Sequence, residues 1–269
     1  MDYDPIKKVL ADFVGTSPSR RRMFYTALGI LFLREWYVKR ELRTLMRTST
    51  PPRRILDAGS GFGQYAYYLA RRFPHASIVA VDVKEAEIKD SVDFFQKVGL
   101  QNVKCEVHDL GELQHREEFD LVLSVDVMEH IEDDRRVFGN LARSLRGGGV
   151  LLVNTPANLS GRSGEAIVHE SFIGEHVRYG YAPEELKAKL EEAGLAIERL
   201  RFTYGQWGYS AWVLGIKLPL LLLNKNKAFF FLLPIYYILT LPLTLLLMTL
   251  DYVSNNKSGG GLLVIARKK

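Results

Sequence analysis

Short apolar runs alternate with amphipathic segments along most of the chain after Pro52. The segments RRILDAG, SIVAVDV, VKCEVHDL and GVLLVNTP are short and rich in apolar residues, whereas QYAYYLARRF and RRVFGNLARSL place their apolar residues at helical spacing. The first pattern predicts buried strands, and the second predicts amphipathic helices. Strands that alternate with helices are typical of a parallel sheet covered on both faces. We therefore predict a doubly wound α/β fold for the central part of the chain.

The segment before this region has a different character. From Arg20 to Arg47 the pattern predicts one or two helices with basic residues at both ends, and Pro51 and Pro52 end them. The expected apolar stripe is formed by Met23, Phe24, Leu28, Leu31 and Phe32. Such helices could lie at a membrane surface, cover the core domain as a lid or dock on its sheet. We treat residues 1–50 as an N-terminal helical basic segment.

Acidic residues at three predicted strand ends carry the candidate chemistry. Asp57 precedes Gly59, Gly61 and Gly63 in DAGSGFG, which lies between a strand and a helix. Glycines allow a tight turn that approaches a ligand, and a carboxylate there suits an ammonium group better than a pyrophosphate. Asp82 ends the next strand, where it could accept both ribose hydroxyls, and Asp109 ends the third, where it could accept an adenine amino hydrogen. As helix caps and turn residues these acids would need no ligand.

At these residues the chain resembles the class I S-adenosylmethionine-dependent methyltransferases. The resemblance rests on ILDAGSGFG, Asp82, SVDVMEHI and LRGGGVLLVNTP, and it covers about Arg53 to Leu200 and the last strand. It implies a Rossmann-like, mostly parallel seven-stranded sheet with an antiparallel last strand, and S-adenosyl-L-methionine as cofactor. The implied cofactor-binding residues are Asp57, Gly59, Gly61, Gly63, Asp82, Val83, Asp109, Leu110 and Ser124.

A nicotinamide-binding domain is the main competitor for the cofactor, because it also has a strand, a glycine-rich turn, a helix and an acid on the second strand. Its glycines follow the spacing G-x-G-x-x-G. This chain has G-x-G-x-G followed by Gln64. The third glycine is therefore out of place for a dinucleotide, and the spacing favours the methyltransferase interpretation.

A sulfonium cofactor supplies its own electrophile, so alignment can provide most of the rate, and a base is needed only for a protonated acceptor. Candidate bases lie in HESFIGEHVRYGY, which we expect to overhang the cofactor crevice. We predict His176 first, followed by His169 and Tyr179. A histidine in a loop also occurs as a purely structural hydrogen-bonding group.

A second polar group is Asp126, Glu129 and His130 in DVMEHI. On a helix these spacings would place the three side chains on one face, where they could bind a divalent cation. The motif resembles one linked to metal binding in ubiquinone-pathway O-methyltransferases, but the same Glu-His pair is also frequent in methyltransferases that bind no metal. We therefore assign no metal ion to the predicted site.

The segment from Ala228 to Leu250 has 23 residues without a charge, and about 20 apolar residues suffice to cross a bilayer as a helix. In the family that the chain resembles, the last strand pairs antiparallel with AIERLRFTY, so the chain must return to the same side. We therefore predict that residues 211–255 form a re-entrant or interfacial helical hairpin, with two short crossings as a variant. A dimer interface or a buried helical subdomain is the alternative. Residues 51–210 and 256–269 form the predicted cofactor-binding domain.

The charge distribution and the single cysteine bear on the partners and the cellular location of the protein. Residues 1–54 hold twelve Lys or Arg against five acids, and such a segment can meet phosphate on lipids or nucleic acid. The absence of an N-P-P-Y-type motif after the fourth strand counts against base methylation, so we expect no nucleic-acid partner. The lone Cys105 and a start without a signal-peptide pattern fit the cytoplasm.

We therefore predict methyl transfer to a lipophilic or membrane-associated acceptor, at a hydroxyl oxygen, on the cytoplasmic face of a membrane. Two alternatives remain open: a membrane-bound scaffold that binds the cofactor without turnover, and an enzyme acting on a soluble small molecule. The sequence leaves the oligomeric state open.

Overall fold

A computed structural model describes residues 17–48, 50–158 and 177–269. Its seven strands form one sheet in the order β3-β2-β1-β4-β5-β7-β6. The strands are β1 (Arg54–Ala58), β2 (Ser77–Asp82), β3 (Val103–Val107), β4 (Phe119–Val125), β5 (Leu145–Pro156), β6 (Leu195–Thr203) and β7 (Gly261–Lys268). Strands β1 to β5 pair in parallel, and β7 pairs antiparallel with both β5 and β6. The predicted Rossmann-like fold, including the antiparallel last strand, is confirmed.

Helices cover both faces of the sheet. The helices are α1 (Pro18–Leu31), α2 (Leu33–Thr48), α3 (Gln64–Arg72), α4 (Glu85–Lys97), α5 (Asp134–Ser144), α6 (Pro183–Glu192), α7 (Gln206–Trp212), α8 (Leu218–Lys225) and α9 (Leu233–Val253). Along β1, Ile55 packs with α1 to α4 on one face, whereas Leu56 packs with α5 and α6 on the other. Because neighbouring residues of a strand point to opposite faces, burial on both faces requires nearly continuous apolar strands.

The N-terminal helices dock on the protein's own sheet. Leu33, Tyr37 and Leu42 of α2 are buried in the same apolar core as Ile55 of β1. Of the arrangements that the sequence left open for this segment, the structure has the docked one, which belongs to the core of the domain.

The predicted apolar stripe of the first helix only partly faces the core. Met23 is 55% exposed, whereas Phe24 is half-buried and packs against the core. The buried face instead contains Arg21 and Tyr25. Arg21 is tolerated there because its guanidinium donates to the carboxylate of Asp90 at 2.5 Å and to the carbonyl oxygen of Phe62 at 2.6 Å.

The apolar insertion is a helical hairpin. The chain leaves through α7, a π-helical segment (Val213–Lys217) and α8, turns at Lys225, and returns through a 3₁₀ segment (Lys227–Leu232) and α9. Pro219 has no N–H and cannot bond to the carbonyl of Gly215, four residues earlier. The hydroxyl of Tyr237 on the returning arm donates to that carbonyl oxygen at 2.8 Å. The insertion is thus a helical hairpin, and its contact with a membrane stays a prediction.

The outer surface of this hairpin is apolar. The segment Ala228–Val253 is long and apolar enough to cross a membrane, and 6% of its most apolar stretch is buried. A side chain on Gly215 would lie within 2.8 Å of Thr244, so the two arms approach closely. The exposed stripe of α9 consists of Ile235, Ile238, Leu239, Leu243, Leu246, Leu250 and Val253.

Candidate functional site

The predicted acidic residues lie at the carboxyl edge of the parallel sheet. In the register of β1, Asp57 pairs with Ala80 of β2 on one side and with Leu123 of β4 on the other. Asp82 ends β2 two residues after Ala80 and pairs with Val107 at the end of β3. Asp57 and Asp82 therefore lie at the same edge, where ligands of doubly wound sheets bind.

The glycine-rich loop makes a tight turn at this edge. Gly59, Gly61 and Gly63 have φ angles of 80°, 47° and 71°, in the left-handed region that favours glycine. The N–H groups of Gly59 and Ser60 both donate to the carbonyl oxygen of Val81, at 2.9 and 2.8 Å. A Cβ atom on Gly59 would lie 2.3 Å from Cγ2 of Val127, so the close packing against the segment after β4 also requires glycine.

Asp82 holds this loop against the second strand. Its carboxylate accepts hydrogen bonds from the N–H of Gly61 at 2.8 Å and from the N–H of Lys84 at 3.0 Å. These two bonds orient the carboxylate and leave it partly exposed. Val83 beside it is exposed. The predicted role of Asp82 toward ribose hydroxyls is compatible with this geometry, because carboxylate oxygens accept more than one hydrogen bond each.

Asp109 lies after the third strand and caps a short helix. Its carboxylate accepts from the N–H of Gly111 at 2.7 Å at the start of the 3₁₀ segment Leu110–Glu112. Leu110 is buried, and the side-chain amide of Asn140 donates to its carbonyl oxygen at 2.8 Å. The capping role that the sequence allowed for Asp109 is present. Its predicted contact with adenine stays a prediction.

Buried polar atoms without a protein partner mark the centre of this edge. In the described part of the chain, Oδ2 of Asp57 and the hydroxyl oxygens of Ser60 and Ser124 are buried and lack hydrogen bonds. Burial raises the pKa of Asp57 to about 7. Buried polar groups are normally satisfied, so unpaired atoms require an explanation. A ligand with an ammonium group and several hydroxyls, such as S-adenosylmethionine, would satisfy them, and these residues therefore fit the predicted cofactor.

A second polar cluster lies beside the first, and of its residues the sequence pattern indicated only Asp126. Arg34 at the start of α2 forms an ion pair with Asp126, which follows β4. The amide of Asn154 donates to the other oxygen of Asp126 at 2.8 Å, and the hydroxyl of Tyr204 accepts from the N–H of Arg34 at 3.1 Å. Asp126 and Tyr204 have φ angles of 53° and 54°. Strained backbone of this kind clusters at functional sites.

The predicted helical arrangement of Asp126, Glu129 and His130 is wrong. Asp126 has left-handed backbone, and Met128–His130 forms a single 3₁₀ turn. Asp126 faces Arg34, whereas Glu129 is buried and accepts from the hydroxyl of Thr155 at 3.1 Å. Burial raises the pKa of Glu129 above its usual range, and the carboxylate of Asp126 adds to this effect. The described residues contain no group of three or more potential metal ligands.

Of the three candidate bases, Tyr179 is the one that lies within the described residues. His169 and His176 lie outside the described residues. Tyr179 is described and is 77% exposed. Just before it, the N–H of Val177 donates to the carbonyl oxygen of Glu129 at 3.1 Å, and Arg178 forms an ion pair with Asp134. The segment after His176 is thus anchored beside Glu129, and the catalytic roles of His176, His169 and Tyr179 stay predictions.

The sequence matches a known domain family over the region that builds this site. A family described as a methyltransferase domain matches residues 50–197. The chain is 31% identical over 151 residues to the trans-aconitate 2-methyltransferase of Deinococcus radiodurans, and the aligned region covers 53% of this chain and 55% of that protein. It is 28% identical over 152 residues to the ubiquinone biosynthesis O-methyltransferase of Maricaulis maris, covering 54% of this chain and 59% of that protein.

The fold is also similar to that of solved proteins. Phosphoethanolamine N-methyltransferase 2 of Haemonchus contortus in complex with S-adenosyl-L-methionine matches with a TM-score of 0.59 and 19% identity, covering 85% of this chain and 52% of that one. At this identity the match concerns the fold alone. The chain spans between half and two thirds of the length of the two curated relatives above.

Proposed function

Because the chain belongs to the family of S-adenosylmethionine-dependent methyltransferase domains, we propose that it transfers the methyl group of this cofactor to a lipophilic acceptor taken from a membrane surface. The acceptor group is a hydroxyl oxygen. The observation that carries the proposal is the position of the apolar hairpin relative to the cofactor site.

The hairpin leaves the sheet and returns to it at the edge that carries the site. Thr203, the last residue of β6, pairs with Gly261, the first residue of β7, and Gly261 also pairs with Pro156 at the end of β5. Because β6 and β5 are both antiparallel to β7, their carboxyl ends lie at the same edge as those of β1 and β4. Tyr204, directly after β6, contacts Arg34 of the second polar cluster. An apolar acceptor held by the hairpin or by a bilayer would therefore approach the cofactor from this edge.

The residues at this edge divide the work of binding and alignment. When bound, S-adenosylmethionine supplies an electrophilic methyl group on a sulfonium. Asp57 would hold the ammonium, and Asp82, already oriented by two backbone N–H groups, would hold the ribose. Arg34 and Glu129 would face the acceptor side, with His176, His169 and Tyr179 as candidates to take the hydroxyl proton.

Two further observations bear on the acceptor. The similarity to a ubiquinone biosynthesis O-methyltransferase supports an oxygen acceptor. Twelve exposed large apolar side chains between Leu218 and Val253 support membrane contact, because large exposed apolar surfaces mark interaction sites. The exposed apolar surface also supports the proposed location of the protein at the cytoplasmic face of a membrane. A cofactor-binding scaffold and an enzyme with a soluble acceptor are the competing hypotheses.

Methyl transfer is tested with the full chain, S-adenosylmethionine labelled in its methyl group, and vesicles of a total lipid extract. We expect label in the organic phase, and at least tenfold less with Asp82→Ala when the cofactor is at limiting concentration. Label confined to water-soluble products would overturn the lipophilic acceptor. Cofactor binding without transfer to any lipid or soluble extract would favour the scaffold.

Membrane contact is tested separately by flotation with the same vesicles. Ile238 and Leu239 are 73% and 74% exposed, so changing them leaves the core intact. We expect Ile238→Glu with Leu239→Glu to remove the protein from the vesicle fraction, because charged side chains oppose burial in lipid. The matched control, Ile238→Ala with Leu239→Ala, is expected to float. Equal flotation of both pairs would contradict contact through this surface.

A further inference from the structure

A basic groove lies between α1, α2 and α3, along the length of α3 from Gln64 to Arg72. Its volume is about 550 Å³, and its lining includes four cationic side chains and three tyrosines. These residues are Arg22, Lys39, Arg71, Arg72, Tyr25, Tyr67 and Tyr68. No aspartate or glutamate belongs to the lining residues that the structure describes. The groove is therefore an electropositive concavity, which attracts anions.

Most cationic side chains of the groove have no acidic partner among the described residues. Lys39 forms an ion pair with Glu35 at 2.9 Å. Within the described ranges, Arg22, Arg71 and Arg72 form no ion pair, although Arg71 donates to the hydroxyl of Tyr67 at 3.1 Å. The amide nitrogen of Gln64, another lining residue, is buried without a partner. Three guanidinium groups and an unused amide donor match the oxygen atoms of a phosphate, which arginine binds through paired N–H groups.

The groove adjoins the point where the hairpin meets the domain. The indole N–H of Trp36 donates to the carbonyl oxygen of Gly29, which lines the groove, at 2.9 Å. The same indole packs edge-on against Tyr252 at the end of α9, with ring centroids 5.9 Å apart. One tryptophan side chain thus separates the groove from the base of the hairpin.

The apolar surface of the hairpin ends at this same point. Val253, next to Tyr252, is 72% exposed and is the last member of the exposed stripe of α9. Tryptophan and tyrosine are enriched at the level of lipid head groups, and cations there contact lipid phosphates. If the stripe contacts the acyl chains, Trp36 and the cations of the groove lie at head-group level.

We propose that this groove binds the phosphate head group of an anionic phospholipid. The proposal rests on the membrane contact in the proposed function, and it adds a specific lipid site that orients the domain on the bilayer. The hairpin provides apolar attachment to any bilayer, whereas the groove provides preference for anionic lipid. A free phosphate compound is the other source of the same chemistry.

The test compares binding of the full chain to vesicles of phosphatidylcholine alone and to vesicles that also contain phosphatidylglycerol. The variant Arg71→Gln with Arg72→Gln removes two groove cations. Its matched control is Arg135→Gln with Arg136→Gln, which removes two consecutive arginines from the surface of α5. We expect the groove variant to bind anionic vesicles roughly 10- to 30-fold more weakly than the unchanged protein, from the typical contribution of two cations near such a surface.

On phosphatidylcholine alone, the groove variant is expected to bind as the unchanged protein does, because the hairpin is intact. Equal losses for the groove variant and the control on anionic vesicles would overturn the groove proposal and leave the proposed function standing. Failure of the unchanged protein to bind either vesicle would overturn both.

Calorimetry with inorganic phosphate separates the two sources of the ligand. Micromolar binding of inorganic phosphate that Arg71→Gln with Arg72→Gln abolishes, together with unchanged vesicle binding, would assign the groove to a soluble phosphate compound and overturn the lipid assignment. Weak or undetectable phosphate binding together with the vesicle preference supports the proposal. Cofactor binding measured in each variant reports whether the domain is folded.

Discussion

The hydroxyl of Tyr37 donates a hydrogen bond to the carboxylate of Asp251, with 2.8 Å between Oη and Oδ2. Both residues are buried. The second oxygen of this carboxylate accepts from the N–H of Gly208 at 3.0 Å. Asp251 therefore joins α2 to both arms of the hairpin at its base. Because a buried carboxylate is stable only when it is hydrogen-bonded, this contact orients the hairpin relative to the domain.

Removal of the Tyr37 hydroxyl tests this junction. Tyr37→Phe leaves Asp251 buried with one donor fewer, and we expect a loss of about 1–3 kcal/mol in the free energy of unfolding. Urea denaturation in a mild detergent measures the change. Tyr179→Phe is the control, because Tyr179 is highly exposed, and it is expected to leave the stability unchanged. Equal stability of the Tyr37 variant and the control would contradict a structural role for the junction.

Substitution of Gly59 tests the close packing of the cofactor loop. Gly59 and Gly99 have similar φ angles of 80° and 72°, but a Cβ on Gly59 would lie 2.3 Å from Val127, whereas one on Gly99 meets nothing within 4 Å. Alanine therefore strains the backbone at both positions and produces a clash only at the first. We expect Gly59→Ala to lower the free energy of unfolding by about 1–3 kcal/mol more than Gly99→Ala. Equal losses would show that backbone strain alone matters.

The role of Asp82 is tested by cofactor affinity. Asp82→Ala removes both the expected ribose acceptor and the two bonds that hold the glycine loop, so we expect calorimetry to show at least a tenfold weaker affinity for S-adenosylmethionine. Asp93→Ala, on the exposed side of α4, serves as the control and should bind normally. Undiminished binding by the Asp82 variant would remove this residue from the cofactor site.

The raised pKa of Asp57 predicts that the affinity for the cofactor depends on pH. Burial raises its pKa from 3.8 to about 7 in the folded protein, and an ammonium group binds the ionised carboxylate. Affinity for S-adenosylmethionine should therefore rise as the pH increases toward 7, by up to about tenfold per unit, and level off above it. In Asp57→Asn this dependence should disappear. A rise of the same size in the variant would assign the titration to another group.

The same raised pKa predicts how the free energy of unfolding of the cofactor-free protein depends on pH. The folded state keeps the Asp57 proton up to pH 7, whereas the unfolded state loses it near pH 3.8. The stabilising contribution of this proton is complete below pH 3.8 and is lost as the pH rises toward 7. The unchanged protein should therefore lose stability relative to Asp57→Asn across that range, as measured by urea denaturation at each pH. A constant difference would contradict the raised pKa.

The family, the Rossmann-like fold and S-adenosylmethionine as the cofactor could be predicted from the sequence and are confirmed. Asp57, Asp82 and the three glycines could be found because each lies at a strand end marked by the local pattern. Arg34, Asn154 and Tyr204 could not be found in this way, because they come from three distant elements and meet Asp126 only in the folded chain. The acceptor, the membrane contact and the catalytic roles of His169, His176 and Tyr179 stay predictions.

The sequence by itself determined the order of strands and helices and the turn at Gly59, Gly61 and Gly63, because these features depend on local apolar periodicity and on backbone angles that glycine adopts readily. The return of the apolar insertion to the last strand was implied by the family resemblance. Only the tertiary structure decided that Arg21 is buried against Asp90, that Asp251 joins the hairpin to α2, and that four cations surround one groove. Those contacts join residues far apart in the chain, and the energy of a buried charge depends on the partner that folding brings to it.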